Sequence, residues 1–223
     1  MLTPKQRYQN DLAREGFVAD AAQAQAVDKL DQLCGRLVKR NLRKRGGLLA
    51  KLLRPALNPE KGLYFWGGVG RGKTYLMDSF YESLPFERKM RIHFHRFMRR
   101  VHQDLERLKG QANPLELVAA SLAEETQVIC FDEFFVSDIT DAMILARLLE
   151  GLFERGVTLV ATSNIVPDLL YREGLQRQRF LPAIDLLNVH CEVVNVDGGQ
   201  DYRLRALEQA ELYYSPLGDL ADQ

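Results

Sequence analysis

The amino-acid sequence predicts an α/β fold in which a mostly parallel sheet lies between layers of helices. Short apolar runs recur along the chain, stretches with helical spacing separate them, and a glycine-rich segment joins one apolar run to the next helix. Strands that are apolar on both faces are typical of parallel sheets, because helices cover both sides. At 223 residues and 46% hydrophobic, the chain is long enough to bury the core of one compact domain.

The N-terminal part predicts helices over residues 4–15 and 20–44, where apolar residues recur every three or four positions. Between Gly35 and Pro59 the chain has no acidic residue, and leucines alternate with basic residues. The basic residues are Arg36, Lys39, Arg40, Arg43, Lys44, Arg45, Lys51 and Arg54. We therefore predict a helical N-terminal segment with a basic linker over residues 1–60, followed by an α/β core over residues 61–223.

Strands and helices alternate through the predicted core. Gly and Pro positions, helix caps and apolar spacing set their bounds. In chain order, the predictions are a strand at 62–67, a helix at 73–84, a strand at 91–97 with a helix to about Leu108, a helix with Asn113 as N-cap and Pro114 first, a strand at 127–134, a helix at 138–156 ended by Gly156, a strand at 157–164, a basic helical stretch at 167–190 and a strand at 191–196.

The glycine-rich segment fits the phosphate-binding pattern G-x-x-x-x-G-K-[ST], with a strand before it and a helix after it. Glycines let the backbone N–H groups curve around one anion, and the start of the helix adds positive charge. Lys73 is expected to reach the β- and γ-phosphates, and the Thr74 hydroxyl to ligate Mg²⁺. The predicted nucleotide-binding residues are Gly67, Gly68, Val69, Gly70, Arg71, Gly72, Lys73, Thr74 and Tyr75.

An acidic pair follows the apolar strand in "VICFDEFF". We expect Asp132 to hold Mg²⁺ through its water shell and Glu133 to polarise the water that attacks the γ-phosphate. A solvated acidic turn is the alternative interpretation, but the strand leads straight into the pair. The arrangement favours a nucleotide hydrolase over a small kinase, and the absence of an N-K-x-D guanine motif disfavours a GTPase.

Polar side chains also end the next strand, in "LVATSN". The Asn164 amide is placed to hydrogen-bond the γ-phosphate or the attacking water, although a Ser-Asn strand end alone is more often a turn. Arg172, Arg177 and Arg179 lie in the basic stretch beyond it. One of them can act as a finger on a neighbouring subunit's nucleotide, or all three can form a solvated helix face.

These motifs, in this order, resemble an AAA+ ATPase and, more narrowly, the AFG-like ATPases. The resemblance covers about residues 62–216 and is most specific in "CFDEFFVSDITDAM", "VATSNIVP" and "GLQRQRFLPAI". It implies ATP and Mg²⁺ as cofactors, a nucleotide-dependent homo-oligomer, and Arg179 of the "RF" pair as the finger. It also implies a protein client, which is the division protein FtsZ for bacterial members, and recruitment to the division site at the inner membrane.

The resemblance has one departure. AAA+ proteins follow the sheet with a helical lid that carries a second sensor arginine, and AFG-like members continue beyond the point where this sequence stops. No lid is evident after "AELYYSPLGDLADQ". We expect efficient hydrolysis and stable assembly to depend on that part.

A helicase-loader type of AAA+ protein, acting on nucleic acid, is the alternative function. It would use the basic residues of 36–54 on DNA, but no aromatic-rich platform for single strands lies near them. The same stretch can instead lie on an anionic membrane, dock an acidic partner or be a solvated arm.

Composition predicts a cytoplasmic protein. Thirty basic residues balance thirty acidic ones, no apolar run is long enough to span a membrane, and the polar start is not a signal peptide. The three separated cysteines indicate reduced thiols. We expect Cys130, Cys191, His93 and His95 to be core residues or neighbours of the site, since the histidines have no nearby third metal ligand.

Overall fold

The computed structural model describes residues 2–14, 20–45 and 58–197, without the side chains of residues 43–45. From β1 onwards, one or two α-helices separate each described strand from the next. In chain order they are α1 (Pro4–Leu12), α2 (Ala21–Arg45), β1 (Gly62–Trp66), α3 (Lys73–Ser83), β2 (Lys89–His93), α4 (Phe94–Arg107), α5 (Pro114–Glu125), β3 (Val128–Asp132), α6 (Ile139–Glu154), β4 (Thr158–Ser163), α7 (Leu181–His190) and β5 (Cys191–Asn195).

The strands form one parallel sheet in the order β2-β3-β4-β1-β5. Strand β4 therefore lies between β1, which leads into the glycine-rich loop, and β3, which ends at Asp132. In a parallel sheet all carboxyl ends lie at the same edge, so this order brings the three sequence motifs side by side. The predicted α/β class with a parallel sheet is confirmed.

Helices cover both faces of the sheet because successive strand residues point in opposite directions. Tyr64 packs with α4 to α7 on one face, where Phe131 and Phe97 are fully buried. Its neighbours Leu63 and Phe65 pack with α1 to α3 on the other face. Because α1 and α2 contribute to this second cluster, the N-terminal helices form part of the sheet's cover. The division of the chain at residue 60 stays a prediction.

The basic segment is described only up to Arg45, and the side chains of its later members lie outside the described residues. Arg36 donates to the Lys61 carbonyl (3.1 Å), and Arg40 donates to the Gln127 carbonyl (3.3 Å). Burial lowers the pKa of Arg40. Two of its basic residues therefore bind backbone carbonyls just before β1 and β3, whereas Lys39 is exposed.

The predicted strand at 91–97 is wrong in its second half. Strand β2 ends at His93, and α4 begins at Phe94. The alternation in "HFHRF" is typical of a strand, but the buried residues Phe94, Phe97, Met98 and Val101 follow helical spacing. All four side chains pack into the core cluster on one face of the sheet, so the helix begins at Phe94.

The predicted helical stretch at 167–190 is also wrong over most of its length. Only Leu181–His190 forms an α-helix, and short 3₁₀ turns at Pro167–Leu169 and Arg177–Arg179 precede it. Tyr171 and Gln176 have positive φ angles of 53° and 56°, which interrupt a right-handed helix.

The predicted N-cap at Asn113 is correct in position, and Pro114 is the first helical residue. The Asn113 side chain forms no capping hydrogen bond, and its φ is 51°. Asn tolerates this left-handed conformation better than most residues. Among the described residues, no helix has the length and apolar character that a bilayer crossing requires.

Candidate active site

The loop after β1 curves because its glycines adopt conformations that other residues avoid. Gly70 and Gly72 have φ angles of 80° and 75°. Gly72 occupies the N-cap position of α3, and a Cβ there would lie 2.5 Å from the Gln23 side-chain nitrogen. The backbone thus enters α3 where only glycine fits, and the start of a helix is a favourable place for an anion.

Lys73 is held over this loop by three oxygen acceptors. Its Nζ donates to the carbonyls of Gly67 (2.6 Å) and Gly68 (2.7 Å), and to Oδ1 of Asn164 (3.0 Å). Burial lowers the pKa of Lys73 from its ordinary value. The ammonium group therefore links the loop to the end of β4, at the position that the motif reserves for phosphate recognition.

Asp132 is fixed by a residue from the neighbouring strand. Arg91 on β2 donates from Nε to Asp132 Oδ2 (2.8 Å), and another guanidinium nitrogen lies 3.4 Å from Oδ1. The opposite end of the guanidinium pairs with Asp78 on α3. Burial alone would lower the pKa of Arg91, but the hydrogen bonds and charges of Asp132 and Asp78 raise it. Asp132 is thereby oriented toward the loop.

Glu133 has a very different environment, although it is the next residue. Its side chain is 80% exposed, and the Nδ1 atom of His93 lies 3.8 Å from one carboxylate oxygen. Its φ of 54° is left-handed, a conformation that costs a non-glycine residue about 1–3 kcal/mol. One carboxylate is thus anchored and the other is free to contact water.

Hydrogen bonds from the end of β4 hold the Glu133 backbone in this conformation. The N–H of Glu133 donates to Thr162 Oγ1 (3.3 Å), and the N–H of Phe134 donates to the Thr162 carbonyl (2.7 Å). Ser163 Oγ donates to the Phe134 carbonyl (2.8 Å). Thr162 and Ser163 are buried, whereas Asn164 is exposed at the strand end. The Thr-Ser-Asn sequence therefore fixes the acidic turn and presents the amide.

A cavity of about 230 Å³ joins these groups. Its lining residues come from the loop, β2, β3 and β4, and they are Val69, Gly70, Arg71, Gly72, Lys73, Thr74, Arg91, His93, Asp132, Glu133, Thr162 and Asn164. Gly67 and Gly68 contribute the carbonyls that bind Lys73. The structure thus brings most of the predicted site residues together around one small polar space.

Two of the predicted nucleotide-binding residues, Arg71 in the loop and Tyr75 in α3, bind acidic residues outside the cavity. The Arg71 guanidinium forms an ion pair with Asp197 (2.8 Å), which lies just beyond β5. The Tyr75 hydroxyl donates to Asp11 Oδ2 (2.8 Å), so this side chain joins α3 to α1. Tyr75 does not line the cavity that contains Lys73, and its assignment to nucleotide binding stays a prediction.

The three candidate finger arginines differ in how they are held. Arg177 donates to the Asp168 carbonyl (2.7 Å), and Arg172 lies 3.7 Å from Glu173. Arg179 is exposed in the 3₁₀ turn, while the following Phe180 is fully buried against Tyr171. Because Phe180 packs in the core, it fixes the backbone beside Arg179. None of the three arginines lines the cavity of the same chain.

Sequence reasoning missed Arg91. An arginine between two apolar strand residues, as Arg91 is between Met90 and Ile92, indicates a paired charge. Its pairing with Asp132 could not be predicted, because the sequence does not reveal that β2 lies beside β3. The expectation that Cys130 and Cys191 are core residues is confirmed, since both thiols are buried. His93 lines the cavity, and the exposed His95 ring on α4 lies 5.9 Å from the His93 ring, so both histidines are neighbours of the site. The described residues contain no cluster suited to a metal held by His, Cys and carboxylates alone.

A family model described as AFG1-like ATPase matches residues 2–223. The chain belongs to the AFG1-like ATPase family. It is 54% identical over 227 residues to the cell division protein ZapE of Escherichia coli (strain K12), a match that covers 98% of this chain and 60% of that protein. It is 47% identical over 169 residues to lactation elevated protein 1 homolog B of Danio rerio, covering 70% of this chain and 34% of that protein.

The chain therefore spans about three fifths of the length of its Escherichia coli relative. Among solved structures, the crystal structure of the DnaC helicase loader is similar, with a TM-score of 0.53 and 13% identity. That match covers 85% of this chain and 98% of the loader. At this identity the likeness shows the fold alone, which is an α/β fold built on a parallel sheet.

Proposed function

We propose that this chain is a Mg²⁺-dependent ATPase that couples ATP binding and hydrolysis to the remodelling of a protein client. The observation that carries the proposal is the convergence of Lys73, Asp132, Glu133 and Asn164 on one cavity at the carboxyl edge of the sheet. These side chains supply a phosphate-binding cation, an anchored carboxylate, an exposed base and an amide.

The residues fit Mg²⁺ bound with ATP. The Thr74 hydroxyl and the Asp132 carboxylate both line the cavity, and oxygen donors are the ligands that Mg²⁺ prefers. Because Arg91 already contacts both oxygens of Asp132, we expect this carboxylate to act through water molecules of the metal's shell. The metal would neutralise charge that develops on the phosphates.

Glu133 is the proposed general base. Its exposed carboxylate can accept a proton from the water that attacks the γ-phosphorus, while the bond to the β–γ bridging oxygen breaks and ADP leaves. Asn164 is placed to orient that water or to donate to a γ-phosphate oxygen. Lys73 already contacts Asn164 (3.0 Å), so both groups can act on the same phosphate.

The site is proposed to be completed by Arg179 of a second copy of the chain in a nucleotide-dependent homo-oligomer. The guanidinium is exposed, lies outside its own cavity and is held by the buried Phe180. A planar, permanently charged fork suits the equatorial oxygens of the transferring phosphoryl group.

The proposed client is FtsZ, and the proposed location is the cytoplasm with recruitment to the division site. The support is the 54% identity to a protein named as a cell division protein. Co-sedimentation with FtsZ polymers tests this, using Glu133→Gln to retain ATP and Lys73→Ala as the matched variant that cannot bind it. If more Glu133→Gln than Lys73→Ala sediments with FtsZ polymers in the presence of ATP, the result supports FtsZ as the client. Equal sedimentation of the two variants, or sedimentation of neither, contradicts it.

A helicase-loader type of function is the second candidate, because the fold resembles the DnaC loader and basic residues are concentrated in 36–54. Arg36 and Arg40 of that stretch bind the protein's own backbone, which favours the protein client. Titration of single-stranded DNA at the salt of the FtsZ assay separates the two. ATP-dependent DNA binding without FtsZ binding would favour the loader. Binding to anionic vesicles in the same buffer tests the proposed membrane contact.

A further inference from the structure

Asp197 lies against the phosphate-binding loop, although it is far from the loop in sequence and takes no part in the proposed reaction. The chain just beyond β5 fixes its position. The Val196 N–H donates to the Trp66 carbonyl (2.8 Å), and the next N–H, that of Asp197, donates to Asn195 Oδ1 (2.8 Å). A Cβ added to Gly67 would lie 3.2 Å from the Asp197 nitrogen, so the backbone of Asp197 packs against the first residue of the loop.

The Asp197 side chain connects the start of the loop to its end. Its Oδ1 lies 2.8 Å from Nε of Arg71, and the two side chains are 38% and 17% exposed. A Cβ added to Gly68 would lie 3.6 Å from Asp197 Oδ2 and 3.5 Å from Arg71 Nε. The ion pair therefore lies over Gly68, between the two ends of the curved backbone.

This contact is an ion pair and not an aligned hydrogen bond, because Nε and Nη1 of Arg71 have no hydrogen-bond acceptor. Coulombic attraction does not need alignment, and it is stronger where burial excludes water. Burial lowers the pKa of Lys73, and the charges of Asp197 and Arg71 then raise it and lower it, respectively. The two charges thus oppose each other at the phosphate-binding lysine.

A second contact holds the loop from the cavity side. Lys73 Nζ donates to the carbonyls of Gly67 and Gly68. A bound phosphate would compete with these carbonyls for Lys73, so this contact should weaken when a nucleotide enters. The ion pair of Asp197 with Arg71 does not involve Lys73, and Asp197 does not line the cavity. It can therefore hold the loop both with and without a nucleotide.

We propose that Asp197 is a positioning residue of the nucleotide site, which holds the phosphate-binding loop in its curved shape through Arg71. A loop that is curved in advance does not have to be ordered during binding, so the affinity for nucleotide is higher. The loop N–H groups cradle the α- and β-phosphates, which ATP and ADP share, so the effect extends to both nucleotides. This inference rests on the proposed function, because it assumes that the loop binds a nucleotide.

Calorimetric titrations of the 223-residue chain with ATP and with ADP, both with Mg²⁺, test the inference. Asp197→Asn and Arg71→Gln should each weaken the binding of both nucleotides about tenfold, and the double variant should also bind about tenfold more weakly, because each change removes the same ion pair. If Asp197 acted by its charge alone, Asp197→Asn would tighten binding and Arg71→Gln would weaken it, since phosphates are anionic. Glu192→Gln is the matched control: it removes another ion pair of β5, with Lys29 (2.5 Å), and should leave both affinities unchanged.

The titrations are run below the melting temperature of every variant, so that a change in affinity does not reflect a loss of folded protein. Opposite effects of the two single changes would overturn the inference, and so would a double variant that binds about a hundredfold more weakly. Weakening of ATP binding alone, or an equal loss of affinity in Glu192→Gln, would also overturn it. All these results leave the proposed function intact, whereas binding of neither nucleotide by the unmodified chain would overturn both.

Discussion

Replacing Arg91 by glutamine should destabilise the fold, because Asp132 would remain largely buried without its counter-charge. The side chains of Arg91 and Asp132 are only 21% and 15% exposed, and Nε lies 2.8 Å from the carboxylate. Hydrogen bonds to charged groups contribute about 1.5–3 kcal/mol to stability. Because both side chains are still partly exposed, we expect the free energy of unfolding to fall by about 2 kcal/mol. For a chain of this size, that loss corresponds to about 4–8 °C in melting temperature.

Thermal unfolding without nucleotide, followed by circular dichroism, measures this loss. Arg100→Gln is the matched control, because Arg100 and Glu125 form an ion pair that is 35% and 49% exposed and should contribute less than about 1 kcal/mol. Removal of Arg91 also leaves the Asp132 and Asp78 carboxylates facing each other, so millimolar Mg²⁺ should raise the melting temperature of Arg91→Gln more than that of the unmodified chain. A melting temperature of Arg91→Gln equal to that of Arg100→Gln would refute the anchoring role.

Three further predictions concern the cavity. Glu133→Gly should raise stability by about 1 kcal/mol in chemical denaturation while abolishing turnover, because glycine relieves the left-handed φ of 54°; lower stability would show that the backbone is unstrained. Burial lowers the pKa of Lys73, and a bound triphosphate should raise it again. ATP binding should then take up a proton at alkaline pH, and the affinity for ATP should begin to fall at a lower pH than it would with an ordinary lysine. Lys73→Arg keeps its charge, so its affinity for ATP should not show this decline. An equal decline in the unmodified chain and in Lys73→Arg would contradict the assignment. Arg179→Ala should retain ATP binding and lose turnover about a thousandfold, and mixing it with Glu133→Gln subunits should restore activity; no recovery despite co-assembly would remove Arg179 as the finger.

The sequence predicted the loop, the acidic pair and the polar strand end because each depends on local spacing. A parallel sheet also implies that these three segments lie at one edge, because the carboxyl ends of parallel strands point in the same direction. The order of the strands did not follow, and Arg91 was missed for that reason. Its role exists only because β2 pairs with β3, with Arg91 opposite Cys130 and His93 opposite Asp132.

Local patterns failed where tertiary contacts decide the conformation. Ile92 and Phe94 fit an alternating strand pattern, but Phe94 and Phe97 pack against Phe134 and Phe131 from one face of a helix. The backbone before α7 turns at Tyr171 and Gln176, neither of which is a residue type that signals positive φ. The contact of Gln23 with Gly72 joins residues 49 positions apart, and no spacing rule reports it.

The central claim is that this chain binds ATP with Mg²⁺ and that Glu133 activates the attacking water. The most direct test compares ATP affinity and single-turnover hydrolysis for the unmodified chain and Glu133→Gln. We predict equal affinity and hydrolysis slowed by about two orders of magnitude or more, because the amide retains the shape of the side chain and loses the base. A Glu133→Gln variant that loses ATP affinity but hydrolyses each bound ATP at the unmodified rate would contradict the claim.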